Sequence, residues 1–118
     1  MITQKDYCDY ETCVALEEVG MLLKTQIVRS YAKEGIQTSK IYPNRPSLYE
    51  AQKWLREEKK LYVEVTIVVS GKNYMFEIYD TETAMLKRFV EEDYSTYEEA
   101  LLEGIKEAIK ILKEENND

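Results

Sequence analysis

A chain of 118 residues that is 44% hydrophobic and 33% charged, with two prolines and four glycines, has the composition of one globular unit able to bury a core. Its formal charge of −7 sets it against phosphate backbones and anionic lipid surfaces, so neither direct nucleic-acid binding nor membrane attachment is expected. The absence of histidine removes the commonest proton shuttle near neutral pH and the usual base of serine and cysteine nucleophiles.

The start, MITQKDYCDYE, is polar and has no signal-peptide pattern. The longest apolar run, Val65 to Val69, is interrupted by Thr66 and is far too short to span a bilayer. A reducing cytoplasm is the expected location. Cys8 and Cys13 fall on different faces of a helix, with no further Cys or His to complete a metal shell. Neither a metal site, a disulfide framework nor a cofactor is expected.

In chain order, residues 9 to 19 predict a short helix capped by Asp9, with Gly20 at its left-handed exit. TQIVRSY (25–31) and IQTSKIY (36–42) predict a hairpin around the turn AKEG, stopped by PNRP. Ser47, followed three residues later by Glu50, has capping-box spacing and predicts a second helix carrying Leu48, Ala51 and Leu55. LYVEVTIVV is a strand, with Leu61, Val63, Val65, Ile67 and Val69 on one face and Tyr62, Glu64, Thr66 and Val68 on the other. SGKN turns the chain into YMFEIY, where Tyr74, Phe76 and Ile78 read as inward. AMLKRFV (84–90) reads as a third strand, with a helix as its competitor. Ser95 or Thr96 caps a last helix striped by Leu101, Ile105, Ala108 and Leu112. Gly104 in that helix implies close approach to the sheet, and residues 114–118 read as a frayed tail.

This order predicts an α+β fold: an antiparallel sheet, made of a three-stranded meander plus an N-terminal hairpin, packed on one face by about three helices. Residues 1–118 form one domain in this reading, best defined over 46–113.

Ser47, Tyr49 and Glu50 recur as Ser95, Tyr97 and Glu98. Helix capping accounts for both residue types and their spacing without catalysis. Ten tyrosines are many for this length, and rigid amphipathic rings suit contact surfaces. Tyr62, Tyr74 and Tyr79 on strands, and the acidic run Glu91, Glu92 and Asp93, are therefore the candidate partner-binding residues. Residues 47–113 share the helix–three strands–helix order of double-stranded-RNA-binding domains. The basic cluster that such domains place before the last helix is here the acidic EEDYSTYEEA, which argues against RNA.

RPSLYEAQKWLREEKKLYVEV, followed by YSTYEEALLEGIKEAIKIL, resembles a family of small uncharacterised proteins encoded by phages, prophages and mobile elements of gut anaerobes. Pro46, Ser47, Ala51, Trp54, Leu55, Arg56 and Glu57 match its first segment. Tyr94, Thr96, Tyr97, Glu98, Glu99, Ala100 and Leu101 match its ending. The likeness covers residues 46 to 113 and weakens over 20–45. It implies a genomic context and no catalytic residue.

The leading expectation is a non-enzymatic binding or adaptor protein of a phage-like element, with a protein partner and self-association left open. Two alternatives stand beside it. One is an acidic nucleic-acid mimic that inhibits a DNA- or RNA-binding protein. The other is a small enzyme using Glu and Tyr, with Glu64 and Glu77 facing each other on adjacent strands.

Overall fold

The structure, a computed structural model, describes residues 4–68, 71–90 and 92–116. After a short 3-10 turn at Gln4–Asp6, helix α1 (Tyr10–Glu18) begins where Asp9 Oδ1 accepts from the backbone N–H of Thr12 at 2.8 Å. It ends at Val19, and Gly20 adopts φ +108°, the left-handed exit that its position predicts.

Strands β1 (Gln26–Ala32) and β2 (Gly35–Ile41) form the predicted hairpin, in register from Gln26↔Ile41 to Ala32↔Gly35. The hairpin is a sheet of its own and does not join the meander. Gln52 Nε2, on the next helix, donates to the Val63 carbonyl at 2.7 Å, so one edge carbonyl of the first meander strand is satisfied by a side chain.

Helix α2 (Leu48–Glu58) carries a complete capping box. Ser47 Oγ accepts from Glu50 N–H at 3.0 Å, and the Glu50 carboxylate accepts from Ser47 N–H at 3.3 Å. Strands β3 (Leu61–Ile67), β4 (Tyr74–Asp80) and β5 (Met85–Phe89) then form the antiparallel meander, so residues 85–89 are strand and not helix. A bulge falls between Ile78 and Tyr79.

Helix α3 (Tyr97–Asn116) is capped by Thr96, whose Oγ1 accepts from Glu99 N–H at 3.1 Å. Ser95 instead donates its hydroxyl to the Glu99 carboxylate at 2.9 Å, so the reciprocal half of a capping box is missing here. The two signatures are therefore not equivalent. Ser47→Ala and Thr96→Ala should each lower stability by about 1 kcal/mol, and Ser95→Ala by less, as read by urea denaturation.

The helix runs past the point where a frayed tail is predicted. Lys87 pairs with Glu115 at 2.7 Å and Arg88 with Glu114 at 3.1 Å, which fastens the last described turn to β5. Residues 117 and 118 lie outside the described part.

The core sits between the helices and one face of β3 and β4. Leu61, Val63, Phe76 and Ile78 meet Leu101, Ile105 and Ala108 of α3, with Leu48 and Leu55 of α2 and Leu16 of α1 closing the sides. Gly104 lies flat on this sheet. A Cβ placed there would overlap Val63 Cγ1 and stand 3.1 Å from Phe76 Cγ. The inward pattern fades toward the end of β3, where Val65 is half-buried and Ile67 exposed. Val69 lies outside the described residues.

Candidate functional site

Period-two alternation puts the residues between the core positions on the sheet face opposite the core, which no helix covers among the described residues. There Tyr62 stands opposite Tyr79, Glu64 opposite Glu77, and Thr66 opposite Met75. Leu86 sits beside Tyr79 and Phe89 beside Glu77, both exposed. The Tyr79 hydroxyl donates to Glu77 Oε2 at 2.7 Å, and this bond raises the phenol pKa by favouring its protonated form. The Arg56 guanidinium lies 5.9 Å from the centre of the Tyr62 ring, a cation–π contact at the margin of the face.

Two like charges directly opposite on adjacent strands destabilise a sheet. Among the described residues neither Glu64 nor Glu77 makes an ion pair. The depression beside them, lined by Tyr62, Glu64, Tyr79, Asp80, Thr81 and Ala84, is about 290 Å³ and open to water. The arrangement offers rings and unneutralised carboxylates on a shallow surface, which suits a contact face better than an enclosed reaction.

Tyr74 belongs to the other side. Its ring meets Tyr97 edge-on at 6.0 Å, and Tyr97 stacks on Tyr49 at 6.4 Å. The two tyrosines of the repeated Ser-x-Tyr-Glu stretches thus touch, and they close the space where the first turns of α2 and α3 come together. Of the acidic run, Glu92 and Asp93 are exposed, and Glu91 lies outside the described residues. Glu92 accepts from the Tyr94 hydroxyl at 3.2 Å, and Tyr94 stacks on the core residue Phe76 at 6.0 Å. Burial, reinforced by Glu92, pushes the Tyr94 phenol up to about 12. The structure therefore brings Tyr62 and Tyr79 together, leaves Tyr74 and the Glu92–Tyr94 pair on the helix side, and leaves Asp93 exposed.

A second surface is not anticipated from periodicity. The hairpin exposes Ile27 (62%), Tyr31 (79%) and Ile36 (61%). Ile27, Arg29 and Tyr31 share one of its faces with their partners Lys40, Thr38 and Ile36. Charge is the signal that could have found it. Residues 24–41 hold four cations and one carboxylate, a net +3, so the remainder of a chain at −7 carries −10.

Cys8 and Cys13 are fully buried and unpaired. Burial, and then proximity to Cys13 and Asp9, pushes the Cys8 thiol up to about 12; burial raises Cys13 as well. Both act as small core residues. Among the described residues no cluster of three or more acidic or sulfur ligands could hold a metal, and no helix is long and apolar enough to cross a membrane.

No protein-family model matches this chain, and neither the curated proteins nor the solved structures contain a significant match to it.

Proposed function

We propose that this chain is a small, acidic, non-enzymatic cytoplasmic protein of a phage-like element, and that it works by protein–protein contact through the open face of β3, β4 and β5. The observation that carries this reading is the pairing of Tyr62 with Tyr79, flanked by exposed Leu86 and Phe89, on a sheet face without a covering layer among the described residues. Monomeric proteins seldom leave aromatic and aliphatic side chains grouped on a sheet face unless something covers them in use. The shallow depression and the position of Glu64 and Glu77 on an open surface favour contact over turnover.

The test is affinity capture from host lysate with wild type and with the double variant Leu86→Ser/Phe89→Ser, whose sites are exposed. A specific partner held by wild type and weakened at least tenfold by the variant is expected, with the circular-dichroism melting curve little changed. Retention of the same partner by the variant would contradict the proposal. Displacement of that partner by duplex DNA would move the reading to a nucleic-acid mimic.

A further inference from the structure

The hairpin extends from the body with no layer against it among the described residues. The radius of gyration is 16.4 Å, against about 13.5 Å for a compact chain of this length, and the long axis reaches 54 Å. Its fastening to α1 is at the base, where Lys40 pairs with Glu17 at 2.7 Å and the Tyr42 hydroxyl donates to the same carboxylate at 2.5 Å. An isolated two-stranded hairpin is marginal in water, yet this one presents Ile27, Tyr31 and Ile36 on a single face.

We propose that a second copy of this chain covers that face: the arm of each protomer lies across the open sheet face of the other in a reciprocal, two-fold dimer. The inference rests on the reading of the open sheet as a contact surface, and it names the occupant. Three features fit together. The arm, Gln26–Ile41, holds Arg29, Lys33 and Lys40 against Glu34 and carries +2, so the rest of a chain at −7 carries −9. Among the described residues Arg29, in the middle of the apolar face of the arm, makes no ion pair within its own chain, and neither do Glu64 and Glu77 at the middle of the sheet face. Ile27, Tyr31 and Ile36 supply the apolar complement to Tyr62, Tyr79, Leu86 and Phe89.

Seven-residue strands are about 24 Å long, which matches the span of the facing strands. Two such contacts would bury roughly 1,000 Å² in total, the lower limit for a specific interface, so a dissociable dimer is expected. Pairing arm against arm would instead bring Arg29 and Lys33 of one copy toward those of the other, and like charges oppose it. Being weak, a dimer of this kind yields the sheet face to a tighter partner.

The test uses sedimentation velocity on the full chain. Wild type should dimerise at tens of micromolar, within the range such an interface supports. Arg29→Glu alone and Glu77→Lys alone should each be monomeric, because each sets like charges against one another in both contacts. A one-to-one mixture of the two variants should recover the dimer. In one contact the carboxylate introduced at position 29 then meets the ammonium introduced at position 77, and in the other the native Arg29 meets the native Glu77. If circular dichroism shows Glu77→Lys unfolded, Glu64→Lys takes its place. Wild type that stays monomeric at hundreds of micromolar, a dimer that survives both reversals, or a mixture that stays monomeric would overturn the proposal. A monomeric wild type whose lysate partner is still lost in Leu86→Ser/Phe89→Ser would defeat this inference alone and leave the proposed function standing.

Discussion

Replacing Gly104 with alanine is expected to destabilise the protein by about 1–3 kcal/mol, the usual range for overpacking a filled core. Helix propensity alone argues the opposite, since alanine in a helix interior is favoured over glycine by about 1 kcal/mol. Packing decides the sign. Gly104 is buried in α3, and an added methyl would occupy the space of Val63 Cγ1 and press on the Phe76 ring. Val63 is itself fully buried, so it has nowhere to move. Urea denaturation reads the loss. A double-mutant cycle with Val63→Ala identifies the cause: removing Cγ1 should make the pair less destabilising than the sum of its parts by more than about 0.5 kcal/mol. Additive losses would mean that the helix stands further from the sheet than the structure has it.

Phe76→Ala should be costlier, about 3–5 kcal/mol, because it removes a large buried ring and leaves a cavity that its neighbours cannot fill. Phe76 is 2% exposed, lies under Gly104 and stacks on Tyr94. The substitution should also loosen Tyr94, whose ring would lose its platform. The Tyr94 phenol then returns toward its ordinary value. Tyr94 itself works against stability in strong alkali. Its folded pKa of about 12 lies above its ordinary value near 10, so its contribution is complete below pH 10 and is lost as pH rises toward 12. Spectrophotometric titration of tyrosine should show a late-ionising phenol in wild type that disappears in Phe76→Ala.

The elements were legible where one local rule governs. Asp9 and Ser47 cap their helices because a side-chain oxygen two or three residues ahead of an orphan N–H has one good use for it. Alternation in LYVEVTI separates Val63 from Tyr62 and Glu64 without reference to anything distant. Gly104 announces a close approach because no other residue justifies its helical cost.

The unread parts depend on long-range partners. Thr96, directly before the first helical residue Tyr97, is the cap and accepts from Glu99 N–H, while the Ser95 hydroxyl turns to the Glu99 carboxylate; two hydroxyls side by side leave that choice to three-dimensional geometry. The tail at 114–116 is helical because Lys87 and Arg88 of β5 reach it, and their register is invisible in the tail itself. Tyr74 and Tyr79 look alike in sequence. Their odd separation of five residues sends them to opposite faces, and only Tyr79 joins Tyr62. Hairpin strands could be recognised from β-branched content. That both faces would stay outside the core could not, because alternation says that a face is apolar and not what will cover it.

The projecting arm is the feature most exposed to contradiction. Amide hydrogen exchange on dilute, monomeric protein compares β1 and β2 with β3 and β4 directly. Amides of Ile27 to Tyr31 should exchange orders of magnitude faster than those of Val63 and Ile78, and should slow when the protein is concentrated enough to dimerise. Amides in the arm as slow as those of the meander at every dilution would show that it is packed within its own chain, and would contradict both the projecting arm and the surface it is proposed to fill.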